Sequence, residues 1–518
     1  MTTPLAFSQK KRRSTSRALL ATLSASLMVS VCPAQTTVEF SQGQVNTTNY
    51  DTSAPFGPLT LRTYLADWAT QSGRITGTGP VYRVGMGDLY LTNTANDYSG
   101  GTIVRQGNLV INDTAVLGTG PLTIQAGANL RGQGGDLTFK APVSVIHQST
   151  AGTPTFLQAN GVASFQNGLT VAGGASVTGI IFIGAGSSST YSVATVMGAG
   201  SYIFNSTVNL GGSGGTGILS VGDGGAVRAG SGLFLGVGGG KGIFNLNAGG
   251  ILYVGNGFGH AITAHDATSE FNLAGGTIDA GYALTTFMDM HLTNASTINT
   301  NEINRLGAHF HGVFSGTGSL TKTGTDTLQF TAANTYSGGT IISAGRFLVN
   351  NTSGSGTGTG TVTIAAGATL AGNFTISGAT TIDGSLNAGE ANFGSDLTLK
   401  STATTLLDLN SATSFDTIDV AGTLKLDGPV VIVTTGGYVV QAGTQFDLLG
   451  WSLLDAESFD LATDLDLSGA ALAAGVTWDT SAFLTHGTLT AVPEPGTYAL
   501  LALGLCIYLF RRHSRTSN

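Results

Sequence analysis

Acidic and basic side chains that cluster in the sequence are the first candidates for catalysis. Asp383, Glu390 and Asp396 lie close to Lys400. Paired carboxylates can act as general acid and base on a glycosidic bond, so this cluster defines an enzymatic alternative, a polysaccharide lyase or hydrolase. Gly and Asn surround the four residues, however, and this composition is typical of solvent-exposed turns. We therefore predict no catalytic residues in this chain.

The eight histidines are the next candidates, as metal ligands, but they are scattered. His260 and His265 lie five residues apart, and His309 and His311 flank one phenylalanine, so the second pair can face the same side of a strand. The sequence contains no HExxH motif and no cysteine near these histidines. Residues 132–136 read GQGGD, a single imperfect copy of the repeated turns that bind calcium. We expect no metal, no cofactor and no nucleotide.

The C-terminal residues 491–518 combine three features in a fixed order. First comes the short motif Val492-Pro493-Glu494-Pro495, whose prolines disfavour a helix and keep the chain extended. The apolar stretch 496–510 follows, and we predict a transmembrane sorting helix there, although it is short for a permanent span. A basic cluster comes last and is predicted to stop transfer on the cytoplasmic side: Arg511, Arg512 and Arg515.

These three features resemble the PEP-CTERM protein-sorting signal. The resemblance implies that an exosortase-type membrane enzyme processes the protein at or near Val492 to Pro495. It also implies a host that makes exopolysaccharide, and a protein that is held transiently in the inner membrane before it reaches the cell surface or the extracellular space. A plain tail anchor with an accidental Pro-Glu-Pro is the alternative.

The N-terminal residues 1–34 have the order of parts that a secretory signal peptide requires. A basic stretch is followed by the apolar run Ala18–Val31 and by small residues. We predict cleavage between Ala34 and Gln35. A lipoprotein signal through Cys32 is disfavoured, because the bulky Val31 precedes that cysteine.

Composition limits the mature part of the chain to a regular, non-globular architecture. The 518 residues include 78 glycines, and only 10% are charged. Between Gln35 and Ala491 there are 13 Lys and Arg against 28 Asp and Glu, which argues against binding to nucleic acid. The two cysteines, Cys32 and Cys506, both lie outside this region, so no disulfide can form within it. Its stability must come from burial and strand pairing.

Two stretches of the chain, 77–113 and 316–351, align with each other. Each contains a Tyr-Ser-Gly-Gly-Thr motif, which begins at Tyr98 and at Tyr336. The two stretches resemble the autotransporter-associated β-strand repeat. We do not expect the export route of an autotransporter, because too few residues follow the repeats to form a transmembrane barrel.

A second rhythm lies between these two copies. Gly-Gly pairs end at Gly225, Gly250 and Gly276, at steps of 25 and 26 residues, which is a solenoid period. Alternating apolar residues before each pair are predicted to point inward, and the glycines to form corners with positive φ. Asn and Thr at repeated positions are predicted to stack into hydrogen-bonded ladders. The pattern predicts an all-β protein, a right-handed parallel β-helix, with a sandwich of Gly-rich hairpins as the alternative.

The sequence therefore divides into a signal peptide, an N-terminal β cap, the β-helix repeats, a C-terminal β module that caps the last coil, and the sorting signal. The predicted boundaries are 1–34, 35–75, 76–400, 401–490 and 491–518. We expect an exported structural or adhesin-like surface protein without enzymatic activity. Exopolysaccharide and neighbouring cell surfaces are its expected partners, but the sequence does not distinguish adhesion from matrix filling.

Overall fold

A computed structural model describes residues 35–494, apart from 65–66, 148–153, 187–190, 205–206, 255–261, 282 and 302–306, together with residues 496 and 503–509. The strands wind into a β-solenoid of about 16 turns. With a separation of ~4.8 Å between paired strands, these turns extend over about 75 Å. The all-β parallel β-helix predicted from the sequence is confirmed.

One face of the solenoid is a parallel sheet of 13 strands. In chain order and in spatial order these strands are Thr36–Phe40, Leu59–Thr63, Val81–Val84, Thr102–Val104, Leu122–Ile124, Val143–Ile146, Leu169–Ala172, Tyr191–Met197, Thr216–Gly222, Lys241–Asn247, Glu270–Ala274, Met290–Leu292 and Phe314–Gly316. We call this the first sheet. Each strand is one turn of the coil further along the axis than the strand before it.

A second set of strands forms the other faces of these turns and all of the turns after Phe314–Gly316, and we call it the second sheet. Its strands are Val45–Asn46, Trp68–Gln71, Asp88–Leu91, Gly107–Ile111, Ala128–Gly132, Leu137–Phe139, Phe156–Phe165, Ser176–Ala185, Tyr202–Phe204, Thr207–Gly212, Ala226–Ala229, Gly232–Leu235, Ile251–Val254, Ile262–Ala264, Thr277–Ala280, Leu284–Thr286, Ser296–Thr300, Ala308–Phe310, Leu320–Thr323, Thr327–Phe330, Thr340–Ile342, Arg346–Val349, Val362–Ile364, Thr369–Ile376, Thr380–Ile382, Ser385–Phe393, Leu397–Leu399, Thr404–Ser411, Ser414–Phe415, Thr417–Leu426, Val430–Thr434, Leu449–Asp455 and Leu465–Gly469.

Few other elements occur among the described residues. The short strands Tyr50–Asp51 and Ile75–Thr76 pair in parallel. Two 3-10 turns lie at Thr114–Leu117 and Val237–Gly239, and one α-helical turn at Phe483–His486.

The core is a column of apolar side chains inside the coil. Along each strand buried and outward positions alternate, as successive residues of a strand must point to opposite faces. Phe244 and Leu246, and one turn later Phe271 and Leu273, are at most 1% exposed. Phe244 pairs with Phe271 in register, and their ring centroids are 4.9 Å apart. The inward orientation predicted from the alternation is confirmed.

The Gly-Gly corners have two different roles. The first glycine supplies a positive φ, +82° at Gly224 and +74° at Gly249. The second glycine leaves room for the neighbouring turn, because a Cβ on Gly225 or Gly250 would lie 2.4 Å from a carbonyl oxygen of the preceding turn. Neither position tolerates a side chain, so the spacing of these pairs sets the length of each turn.

Parallel pairing extends through both regions predicted as caps, 35–75 and 401–490. Thr36–Phe40 pairs with Leu59–Thr63, and Thr404–Ser411 pairs with Val430–Thr434, which pairs in turn with Leu465–Gly469. The predicted boundaries near residues 76 and 400 therefore do not coincide with a change in strand pairing. A turn of the coil needs inward apolar residues and a corner, and strands that contain little glycine also meet this requirement.

A small antiparallel sheet lies at the C-terminal end of the solenoid. It consists of Gln445–Asp447, Val476–Asp479 and Thr488–Pro493, with the last strand in the centre. Phe446, Phe483 and Leu489 are fully buried between this sheet and the coil. The parallel ladders end at Leu449–Asp455 and Leu465–Gly469, and this sheet is separate from them.

Candidate functional site

The predicted processing motif begins inside this antiparallel sheet. Val492 and Pro493 are the last residues of their strand, and they pair with Thr477 and Val476. Both motif residues are half-buried, whereas Glu494 is exposed. The amide of Glu494 donates the last hydrogen bond of this strand, to the carbonyl oxygen of Gly475 at 2.9 Å. Among the described residues, this is the last hydrogen bond between the motif and the folded domain.

The rest of the predicted signal is described only in part. Pro495 lies outside the described residues, and so do Arg511, Arg512 and Arg515. Residues 503–509 are helical, and all of them are exposed. Among the residues that the structure describes, no helix has the length and apolarity needed to cross a membrane. The predicted transmembrane segment 496–510 therefore stays a prediction.

The predicted signal-peptide cleavage site lies at the start of the described chain. Ala34 falls outside the described residues, whereas Gln35 is exposed and directly precedes the first strand of the coil. The amide of Thr36 already donates a hydrogen bond to the carbonyl oxygen of Pro58, at 3.1 Å. A chain that begins at Gln35 would keep this strand complete.

The aligned copies at 77–113 and 316–351 share a buried asparagine that joins three turns of the coil. Asn334 accepts a hydrogen bond from the amide of Phe314, at 2.8 Å, and donates one to the carbonyl oxygen of Gly356, at 2.7 Å. Asn96 makes the same two bonds in the first copy, from the amide of Ile75 and to the carbonyl oxygen of Val116, both at 2.8 Å. The asparagine therefore satisfies backbone groups of the preceding and the following turn.

The tyrosine of each copy is buried next to the asparagine. The hydroxyl groups of Tyr336 and Thr340 are 2.5 Å apart, and the equivalent groups of Tyr98 and Thr102 have the same separation. Both tyrosines are fully buried, and burial raises the pKa of each phenol. The two copies are therefore alike in their buried contacts as well as in their sequence.

Comparison with known families identifies both the C-terminal sorting signal and the two repeats. The family described as the PEP-CTERM protein-sorting motif matches residues 491–512. The chain carries a PEP-CTERM sorting motif. The family described as the passenger-associated-transport-repeat matches residues 84–111 and 320–349, which confirms the repeats inferred from the sequence. No curated protein matches the chain.

The PEP-CTERM motif indicates export and sorting to the cell envelope, and it implies processing by an exosortase-type enzyme. The matched residues begin at Ala491, which is fully buried in the antiparallel sheet. Its amide donates a hydrogen bond to the carbonyl oxygen of Thr444, at 2.9 Å. The sorting motif of this PEP-CTERM chain therefore overlaps the folded domain and does not follow it through a separate linker.

Both repeat copies also bury a cation that the sequence analysis missed. Lys322 is completely buried, and its Nζ donates to Thr300 Oγ1 and to the carbonyl oxygens of Gly324 and Ala344, at 2.8 to 2.9 Å. Burial lowers the pKa of Lys322 from 10.5 to about 8. The cation joins its own turn to the turns before and after it.

Arg83 occupies the equivalent position in the first copy and makes the equivalent contacts. Its guanidinium donates to Thr63 Oγ1 at 2.8 Å, to the Gly85 carbonyl oxygen at 3.1 Å and to the Asn108 carbonyl oxygen at 3.2 Å. Burial lowers the pKa of Arg83 to about 10. The signal in the sequence was a basic residue at an inward position of both aligned copies.

The four residues considered as a catalytic cluster make separate structural contacts. Asp383 pairs with Lys400 at 3.4 Å on the surface, and it also accepts a hydrogen bond from Thr402. Asp396 Oδ1 accepts the amide of Thr423 at 2.7 Å. Glu390 is exposed on its strand. These contacts explain the acidic residues as parts of turns and of a surface ion pair.

The histidines and the GQGGD run also have structural contacts. His309 and His311 lie on the same side of their strand, as the alternation predicts, and each contacts the next turn, through Gln329 and Thr331. Asp136, at the end of GQGGD, accepts the amide of Val162 at 3.0 Å. The described residues contain no group of three or more potential metal ligands. His260 lies outside the described residues, and His265 packs against Phe234.

Proposed function

We propose that this chain is a cell-surface or extracellular-matrix solenoid that acts by adhesion or as structural filling and not by catalysis. The observation that carries the proposal is the sorting motif at 491–512, whose first residues lie in the antiparallel sheet at the end of a β-solenoid of about 16 turns. A long parallel coil presents the same outward positions on every turn, so it offers many weak contacts along its length. Repetition of this kind suits an extended partner such as exopolysaccharide in a biofilm, or the surface of a neighbouring cell.

The outward ladders support this role. Asn129 donates to Asn108 at 3.0 Å, and Asn108 donates to Asp88 at 2.6 Å, over three successive turns. On the other sheet, Asn272 donates to Asn245 at 2.9 Å. Such ladders hold polar side chains in fixed positions, which lowers the entropic cost of binding a ligand that follows the axis.

The sorting step follows from the order of parts. In our proposal the tail 496–510 is held in the inner membrane while Arg511, Arg512 and Arg515 stay in the cytoplasm. The exosortase-type enzyme then cleaves between Val492 and Pro495. Strand pairing supports the distal end of this window, because cleavage beyond Glu494 leaves the strand Thr488–Pro493 intact. The mature solenoid would keep its antiparallel sheet.

Intact-mass measurement of protein extracted from the native cell surface tests the sorting step. We expect a chain that begins at Gln35 and ends within 492–495. Deletion of Arg511, Arg512 and Arg515 should leave the tail uncleaved, and substitution of Pro493-Glu494-Pro495 should leave an inner-membrane form of full mature length. Deletion of Thr516, Ser517 and Asn518 removes three uncharged residues and is the matched control. A native surface form that still ends at Asn518 would contradict the proposal and indicate a plain tail anchor.

The enzymatic alternative has its own test. A polysaccharide lyase or hydrolase built on this coil would release oligosaccharides from acidic or neutral polysaccharides, and the activity would depend on carboxylates such as Asp383, Glu390 or Asp396. Product release by the purified chain that is lost in Asp383→Asn or Asp396→Asn would replace our proposal with this one.

A further inference from the structure

Three aromatic side chains and one arginine lie together on the outer face of the second sheet. They come from three successive turns, on the strands Tyr202–Phe204, Ala226–Ala229 and Ile251–Val254. We call them the aromatic platform, which consists of Tyr202, Phe204, Arg228 and Tyr253. The residues beside them along each strand point into the core and are fully buried: Ile203, Val227 and Leu252. The four platform side chains therefore face outward.

The side chains of the platform are in contact with one another. The ring centroids of Tyr202 and Phe204 are 5.6 Å apart, and those of Tyr202 and Tyr253 are 6.2 Å apart in an edge-to-face arrangement. The guanidinium of Arg228 lies over the ring of Phe204, with its Cζ 5.7 Å from the centroid. Phe204 is 39% exposed. The contacts hold the rings in one arrangement while part of their surface faces solvent.

A small residue forms the floor of the platform. Ala226 pairs in register with Tyr202 on one side and with Ile251 on the other. Because its side chain is only a methyl group, the rings of Tyr202 and Tyr253 approach each other although they lie two turns apart. In the outward row of Phe204 and Tyr253, the turns before and after the platform carry polar residues, Thr178 and Asp279. The aromatic side chains are therefore a local departure from the polar ladder.

A second arginine and aromatic ring lie further along the same face. The guanidinium of Arg131 is over the ring of Phe156, 5.8 Å from its centroid. Phe156 shares its outward row with Tyr202, and Ser176 lies between them in register. The register places Arg131 and Arg228 in one outward row, four turns of ~4.8 Å apart, so about 19 Å separates the two arginines along the axis. The face therefore offers cationic and aromatic positions in one line.

The charges on this face select the kind of partner. Arg131 and Arg228 are exposed or half-exposed cations in a mature region that is acidic overall. The carboxylate of the row, Asp279, accepts a hydrogen bond from Asn299 Nδ2 at 3.1 Å. The chain as a whole is acidic, so an anionic partner must be held by local contacts with these two arginines. A peptide strand would need an open sheet edge, whereas these strands have paired neighbours on both sides.

We propose that the aromatic platform binds an extended polysaccharide that carries carboxylates, with the sugar chain along the solenoid axis. The apolar face of a pyranose ring stacks on Tyr202, Phe204 or Tyr253, and its carboxylate pairs with Arg228. Arg131 receives a carboxylate further along the same chain. This inference rests on the proposed function, since it names the ligand of a surface solenoid, and it needs no chemical step.

Calorimetric titration of the purified full chain with β-1,4-linked oligomannuronate tests the inference. Its methyl ester has the same backbone without the charges and serves as the neutral probe. We expect the acidic form to bind the wild-type chain more tightly than the ester. Phe204→Ala and Tyr253→Ala should each weaken binding by about tenfold or more, because each removes one stacking surface. Arg228→Gln should abolish the preference for the acidic form.

Two matched variants control for nonspecific effects. Tyr191→Ala removes a tyrosine that is 60% exposed on the first sheet, and Arg346→Gln removes an exposed cation about five turns from Arg228. Both should bind oligomannuronate like the wild type. Equal losses in Tyr191→Ala and Tyr253→Ala, or equal binding of acid and ester by the wild type, would overturn the inference. If the sorting tail is removed in the cell but the chain does not bind oligomannuronate, the inference is overturned and the proposed function stands. If an uncleaved chain binds oligomannuronate specifically, the inference is supported and the sorting step is contradicted.

Discussion

Replacement of Asn334 by alanine should open the solenoid locally. The side chain is 3% exposed and joins the amide of Phe314 to the carbonyl oxygen of Gly356. Asn334→Ala leaves both backbone groups buried without a partner. Each such group costs about 1–3 kcal/mol, so we expect a loss of about 3 kcal/mol after some relaxation. In a solenoid each turn contacts only its neighbours, and the loss should therefore stay near this turn.

Hydrogen exchange read by mass spectrometry measures this loss, because it reports the opening of each segment separately. A cost of about 3 kcal/mol corresponds to exchange about 100-fold faster in the strand Phe314–Gly316 and its neighbours. Asn96→Ala should have the same effect around Ile75, since Asn96 makes the same contacts. Asn392→Ala is the matched control, because Asn392 is exposed on a strand of the coil. Equal exchange in Asn334→Ala and Asn392→Ala would refute the reasoning.

Two pH dependences are also expected. Burial lowers the pKa of Lys322 from 10.5 to about 8, so between these pH values the unfolded chain binds the proton more tightly than the folded chain. The free energy of unfolding therefore rises with pH in this window, by at most about 3 kcal/mol. Urea denaturation should show this rise in the wild type but not in Lys322→Arg, which has the residue of the first copy and stays charged; equal slopes would contradict the assignment. The pKa of Asp416 is raised from 3.8 to about 6, mainly by burial, so stability should increase by at most about 3 kcal/mol as the pH falls through that window. The stability of Asp416→Asn should not depend on pH in this window. If the stability of this variant still rises as the pH falls, another group titrates.

Much of the architecture could be predicted because it depends on local patterns in the sequence. The alternation around Phe244 and Phe271 indicates which side chains enter the core, and this depends only on the geometry of a strand. The Gly-Gly steps of 25 and 26 residues indicate the length of a turn, because only glycine fits both the positive φ and the close approach at the corner. The sorting motif is likewise a local signal, since the processing enzyme must read an extended segment.

The contacts between turns could not be predicted in the same way. Lys322 and Arg83 are basic residues that composition alone places on a surface. In the structure, hydrogen bonds to carbonyl oxygens from two turns offset the cost of removing these cations from water. The strand Thr488–Pro493 joins the sorting motif to the folded domain through Val476–Asp479, a partner that no local pattern indicates. The residues at which the parallel ladder begins and ends could not be predicted either. The pairing of Thr36–Phe40 or Val430–Thr434 depends on neighbours more than twenty residues away.

The sequence by itself therefore determined the sorting motif, the repeat and the inward face of each strand, because these features depend on residues within one turn. Only the tertiary structure decided which side chains meet across turns. Phe204, Arg228 and Tyr253 are separated by steps of 24 and 25 residues, and their common outward row exists only once the register of three turns is set. The register results from cooperative burial of the apolar column and from corner glycines acting together, and it is a property of the assembled coil.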